Sequence, residues 1–249
     1  MSIRRTLSTA QRVLRQLSHD PRTIALLFVV PPMLLIVMRY VFDSSPHAFD
    51  AIAPQLLGVF PMIMMFLITS VVTLRERTTG TLARLMTMPI SKLDFIFGYA
   101  LAFSFLGLCQ ALISGATLLW LLNVTVLGGA VPTIIAVVFA AFLGTSLGLF
   151  LSAFATSEFQ AIQFMPAFIL PQLLTCGLFV DRGLMAKPLQ WFADVMPLTY
   201  SVDAMKQVTQ HSTWQPDLTR DLFVVALFAI AALILGSITI RRREHAKRT

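Results

Sequence analysis

Long apolar runs alternate along this chain with short breaks that carry its charges, glycines and prolines. A helix needs about 20 predominantly apolar residues to cross the hydrocarbon core of a bilayer. Six stretches answer to that length: Ile24 to Phe42, Pro54 to Leu74, Phe95 to Leu122, Pro132 to Ala155, Phe159 to Val180 and Leu222 to Ile240. The last five hold no charged residue, and the chain is uncharged from Phe95 to Ser157. That run is too long for one helix, and Asn123, Gly128, Gly129 and Pro132 mark the turn that divides it. Ahead of the first run, Ile3, Leu7, Ala10, Leu14 and Leu17 recur at helical spacing, with Arg4, Arg5, Arg12 and Arg15 on the opposite side. This is the pattern of a helix lying in the membrane interface. Asp20 then offers an N-cap and Pro21 a first helical residue, so the chain turns there from lying on the membrane to crossing it.

The pattern predicts one all-α polytopic membrane domain over 1–249. It has an interfacial helix over 1–20 and six spans over 24–42, 54–74, 95–122, 132–155, 159–180 and 222–240. A cytosolic loop over 75–92, an outer segment over 181–221 and a basic tail over 241–249 complete it. Composition agrees, with 57% hydrophobic and 12% charged residues and a mean hydropathy of +0.79. Most of the 19 lysines and arginines fall in three places. Arg4, Arg5, Arg12, Arg15 and Arg22 surround the start, Arg75, Arg77, Arg84 and Lys92 follow the second span, and Arg241, Arg242, Arg243, Lys247 and Arg248 end the chain. The positive-inside rule puts all three on the cytosolic face, which requires an even number of spans and is met by six. The expected location is the plasma (inner) membrane, multi-pass, with both termini cytosolic. The first apolar run is as long as a full span, so it reads as a retained signal anchor rather than a cleaved leader. Beside a span, the basic tail reads as an anchor in anionic lipid headgroups, not as a nucleic-acid site.

Catalytic chemistry finds little support. Gly144-Thr145-Ser146-Leu147-Gly148 lacks the spacing and lysine of a phosphate-binding loop, so this chain is not expected to hydrolyse ATP itself. Its glycine pair suits a close helix–helix contact instead. The histidines lie far apart without ligand spacing, and Cys109 and Cys176 fall in or near different spans, so no metal, disulfide framework or bound cofactor is expected. Arg39 alone is ionisable within a span, and beside Tyr40 it can snorkel to the headgroups. Without buried acids or bases to relay protons, energy for transport must come from a partner.

Leu74 to Pro89 holds a charged helix between two apolar runs, with Gly80 loosening its entry and Pro89 ending it. Leu82, Leu85 and Met86 share one face and Arg84 lies on the far side, while Glu76 suits an N-terminal position. By its residues alone, the segment is either a solvated loop whose charges set topology or a docking peptide. The outer segment is rich in apolar residues, Leu189, Trp191, Phe192, Leu198 and Tyr200 among them, and Pro188 and Pro197 break it into short pieces. Two half-length helices dipping into the outer membrane half fit this, with Trp191 and Tyr200 as interfacial anchors.

Three local patterns make the chain resemble the permease subunits of type-two ATP-binding cassette (ABC) exporters, of the drug and antibiotic exporter kind, over nearly its whole length. Glu76, Gly80, Thr81, Leu85 and Pro89 are similar to that family's coupling helix. Thr175-Cys176-Gly177-Leu178-Phe179-Val180 is similar to its small-Gly-aliphatic-Phe stretch. Pro188-Leu189-Gln190-Trp191, followed by Pro197-Leu198-Thr199-Tyr200 and Asp203, is similar to its motif before the last span. Two positions depart from it: Gly98 is followed by Tyr99 rather than lysine, and Lys206 stands where an arginine is usual.

The resemblance implies an ATP-driven export subunit moving a hydrophobic or amphiphilic cargo (drug, antibiotic or lipid), with a polysaccharide-exporting permease as the alternative within the family. A channel or regulatory subunit without an ATPase, or a membrane enzyme, would be the alternative outside it. It implies two cytosolic ATPase subunits that carry ATP and Mg, and a second permease, identical or related. ATPase coupling would then fall to Glu76, Arg77, Gly80, Thr81, Leu82, Leu85, Met86 and Pro89. A substrate path between the second and fifth spans would draw on Phe60, Met64, Phe66, Phe164, Met165, Phe168 and Gln172, side chains that serve equally as lipid contact or packing. An outer re-entrant motif would comprise Gly177, Trp191, Pro197, Tyr200 and Asp203.

Overall fold

A computed structural model describes residues 3–79 and 92–245, with the backbone alone at 92–96, 237 and 240–245. The described residues form helices joined by short turns: α1 (Ile3–Ser18), α2 (Pro21–Val41), α3 (Pro46–Thr78), α4 (Lys92–Ala116), α5 (Ala130–Ser152), α6 (Glu158–Thr175), α7 (Lys187–Val195), α8 (Pro197–Gln210) and α9 (Pro216–His245). A π-helical turn, Thr117–Leu121, extends α4, and a short 3-10 turn, Arg182–Leu184, precedes α7. Among the described residues, five stretches are long and apolar enough to cross a membrane: Pro21–Val41, Pro46–Thr78, Phe97–Leu121, Ala130–Ser152 and Pro216–Gly236. The expected fifth span corresponds to α6, which is 18 residues long and diluted by Gln160, Gln163 and Gln172.

The entry to α2 follows its sequence signals. Asp20 caps the helix, its carboxylate accepting from the Thr23 amide at 3.2 Å and the Thr23 hydroxyl at 2.7 Å, with Pro21 in the first turn. Such a cap is worth about 1 kcal/mol. The turn after α4 also lies where expected, with Asn123 (φ 51°) and Gly129 (φ 79°) in left-handed conformations. Several boundaries differ from expectation. The second span's helix runs from 46 to 78, and α9 starts at Pro216 rather than Leu222 and continues to His245, into the expected basic tail. At 1.5 Å per residue the 33-residue α3 is about 50 Å long, enough to carry its last turns beyond the bilayer.

α3 is the hub of the bundle. Its most extensive packing is against α5, which approaches so closely that a Cβ on Gly144 would lie 2.1 Å from the Met62 carbonyl oxygen. One on Gly148 would lie 2.6 Å from that of Phe66. The glycine pair is therefore a packing contact, as its spacing suggested. Leu57, Met62, Phe66, Val137, Ala140 and Leu143 are among the side chains that fill this core. By contrast Leu26, Val29, Phe105, Leu112, Phe223, Leu227 and Ile230 are exposed along α2, α4 and α9, apolar surface that suits lipid rather than water.

α1 is rotated from the face counted in the sequence. It buries Thr6, Thr9, Ala10, Val13 and Leu17, while Ile3 and Leu7 stay exposed. The reason is Gly98 on α4. A Cβ there would stand 2.6 Å from the Thr9 Cβ, so α1 sits down on the bare backbone and turns its threonines inward. Arg12, expected on the polar side, is consequently only partly exposed and reaches toward the bundle.

Candidate functional site

The C-terminal end of α3 presents three consecutive charged residues, Arg75, Glu76 and Arg77, and each binds a different helix. Successive residues of a helix point about 100° apart, so three in a row reach three different neighbours. Arg75 reaches the first residue of α6, its Nε donating to Glu158 Oε1 at 3.0 Å and Nη2 to Oε2 at 3.2 Å, a two-pronged pair at an exposed site. Arg77 donates from Nη1 to the carbonyl of Ser152, the last residue of α5, where a cation also suits the negative end of the helix dipole.

Glu76 is the inner member and is 2% exposed. Its Oε2 accepts from Arg12 Nη2 of α1 at 3.1 Å. The same Nη2 donates to the Tyr99 hydroxyl of α4 at 2.8 Å, and the guanidinium carbon stands 5.8 Å from the Tyr99 ring centre. Tyr99 is itself fully buried. A buried carboxylate without a partner would be costly, and Arg12 is what permits this one. Among the described residues Glu76 thus pairs with Arg12 and with neither Arg75 nor Arg77. The expected coupling residues Gly80, Thr81, Leu82, Leu85, Met86 and Pro89 lie outside the described residues.

Sequence reasoning did not single out Arg12, Tyr99, Ser152 or Glu158 as members of this site. One signal was available: Tyr99 departs from the lysine expected after Gly98, and that position proves to be where α4 meets the arginine of α1.

The residues proposed for a substrate path divide. Phe66 and Gln172 are wholly enclosed, whereas Phe60, Met64, Phe164, Met165 and Phe168 are partly exposed. Phe66 and Phe168 stack with ring centres 6.5 Å apart, joining α3 to α6. Gln172 spends both ends of its amide inside the chain, Nε2 donating to the Phe168 carbonyl at 3.0 Å and Oε1 accepting from the Leu198 amide at 3.3 Å. It ties α6 to the first turn of α8.

At the opposite end of the bundle, α7 and α8 are two short helices within the segment over 181–221. Gly177 adopts φ 86°, and its carbonyl accepts from Lys206 Nζ at 2.8 Å. The lysine that replaces the usual arginine therefore holds a backbone carbonyl. Pro197 opens α8, the Tyr200 hydroxyl donates to the Asp194 carbonyl at 2.7 Å, and Trp191 is 69% exposed. Asp203 is buried and paired with Arg182, which also reaches Asp194.

Burial pushes the Asp203 carboxyl up to about 6 from its ordinary 3.8, against the pull of Arg182 and Lys206 and with the push of Asp221. A raised carboxyl favours folding in its protonated form. Its contribution is full below pH about 4 and is lost as pH rises through about 6, at most about 3 kcal/mol at roughly 1.4 per pKa unit. The thermal stability of the wild type relative to Asp203→Asn should therefore fall between pH 4 and 7 in detergent. A difference that is constant across that range would contradict this placement of Asp203.

Residues 4–209 match the family described as ABC-2 type transporter. Among similar proteins, ABC transporter G family member 20 of Dictyostelium discoideum is 29% identical over 164 residues, 64% of this chain and 22% of that protein. The probable multidrug ABC transporter permease YbhR of Escherichia coli K12 is 23% identical over 172 residues, 66% of this chain and 47% of that one. Its counterpart YbhS is 22% identical over 207 residues, 82% and 53%. The chain spans no more than about half the length of these relatives. With the match covering most of its residues, the chain belongs to the ABC-2 type transporter family, that of the type-two ABC permeases.

Proposed function

We propose that this chain is half of the membrane part of an ATP-driven exporter and moves a hydrophobic or amphiphilic cargo (drug, antibiotic or lipid) outward. It pairs with a second permease copy or paralogue and is driven by two cytosolic ATPase subunits, which bind ATP and Mg. The observation that carries this reading is the end of α3, where Arg75, Glu76 and Arg77 fasten α6, α1 with α4, and α5 to a single point. The segment that follows, residues 80–91, is the docking piece, its Leu82, Leu85 and Met86 seated on the ATPase. Any displacement there passes through α3 into the bundle, because a clamped helix end moves its neighbours as a rigid group. Closure of the ATPases on ATP then shuts an inner cavity and opens an outer gate at α7 and α8.

Six spans with both termini cytosolic belong to this proposal. α6 is the fifth of them in chain order and adds to the five long apolar stretches, its 18 residues spanning about 27 Å, close to the hydrocarbon thickness. The names of the two Escherichia coli relatives support a drug-like cargo. The partly exposed Met64, Phe164, Met165 and Phe168 offer soft, adaptable contacts for it.

Co-purification tests the docking claim. Leu85→Asp places a charge on the apolar docking face and should abolish recovery of the ATPase with the permease while the permease still inserts. Undiminished recovery would refute docking through this segment.

A further inference from the structure

α1 has three sides with three kinds of surface. One packs on α4, and a second, with Ile3 78% and Leu7 54% exposed, is an apolar ridge. On the third, Ser8, Gln11, Arg12 and Arg15 line a cavity of about 210 Å³. Two guanidiniums, an amide and a hydroxyl meet there, and no acidic side chain is among the described lining residues. Gln11 and Arg15 make no side-chain hydrogen bond or ion pair among the described residues, and both bonds of Arg12, to Glu76 and to Tyr99, leave from Nη2. Nε and Nη1 of Arg12 make no hydrogen bond among the described residues.

A guanidinium matches phosphate oxygens in geometry as well as charge, and Arg12 and Arg15 bring two to this cavity. The apolar ridge, seated at the boundary of headgroups and acyl chains, brings lipid phosphates beside this cavity. We propose that the cavity holds the phosphate of an anionic membrane lipid, and that this lipid, by pinning the outward side of Arg12, fixes the guanidinium against Glu76 and firms the hold of α1 on the end of α3. The binding half stands on the cavity alone. The tuning half rests on the coupling role proposed above.

The binding half is read by native mass spectrometry of the purified permease with phosphatidylglycerol and phosphatidylcholine. The wild type should retain phosphatidylglycerol preferentially, and Arg15→Gln should bind it about five-fold more weakly, the expectation for one basic residue at an anionic surface. Gln11→Ala is a second, uncharged variant expected to weaken retention without altering net charge. Equal retention by wild type and Arg15→Gln overturns the site, and displacement of the lipid by inorganic phosphate would reassign it to a soluble anion.

The tuning half is read as ATP hydrolysis by the permease–ATPase complex in vesicles of phosphatidylcholine alone or with phosphatidylglycerol. Anionic lipid should raise wild-type turnover several-fold and leave the ratio near one in Arg15→Gln. Lipid retained without any change in turnover overturns the tuning and leaves the site standing, whereas a permease that recruits no ATPase overturns the coupling reading itself.

Discussion

Replacing Glu76 with glutamine is expected to leave the permease assembled with its ATPase subunits but to lower cargo-stimulated ATP hydrolysis by about ten-fold, a typical coupling free energy. Glutamine keeps the volume and an acceptor oxygen, so the bundle stays packed, yet the charge that holds Arg12 is gone. Because Glu76 is buried and bonded to Arg12, the variant should separate docking from transmission. Charge reversal would be harsher, since Glu76→Lys sets two cations together in a buried place, and loss of one partner of such a pair costs about 3 kcal/mol or more. The exchange Arg12→Glu with Glu76→Arg should restore part of the coupling that either single reversal removes. Hydrolysis in Glu76→Gln equal to wild type would mean that the contact between α1 and α3 carries no signal.

The second large effect belongs to the helix pair that α3 makes with α5. Gly144→Leu should prevent recovery of a monodisperse permease, and Gly144→Ala should already lower its thermal stability in detergent. Overpacking costs about 1–3 kcal/mol where side chains can yield. Here the atom in the way is a backbone oxygen, 2.1 Å from where the new Cβ would stand, so the helices must separate and the cost sits at or above the upper end. Gly183→Ala, which meets nothing within 4 Å, is the control and should behave as wild type. A Gly144→Ala protein as stable as that control would show that the two helices do not approach as described.

Period and charge along the chain made the helices legible. The apolar runs, the Asp20-Pro21 start of α2 and the Asn123 to Pro132 turn are local features, and local chemistry decides them. The glycine pair of α5 was legible for the same reason, since only close packing explains small residues four apart in an apolar helix.

The partners of Arg75, Glu76 and Arg77 were not. Each bond crosses between helices 64 to 83 positions apart in the sequence, and nothing in the spacing of charges says which helix ends will converge. Arg12 was assigned to the polar side of α1 because a helical wheel knows only its own helix. The small residue that rotates α1 inward, Gly98, belongs to another. The partners of Gln172 were equally hidden, since the Leu198 amide that its Oε1 accepts from lies 26 positions away at the first turn of α8.

In the proposed ATP-driven exporter, the end of α3 is the mechanical input. Purified permease and ATPase subunits, reconstituted together in vesicles with a fluorescent amphiphilic drug, test this most directly by following dye movement with and without ATP. Outward transport is expected to need ATP and both components and to fall about ten-fold in Glu76→Gln. Dye movement by the permease alone without nucleotide, or ion conductance in its place, would contradict it.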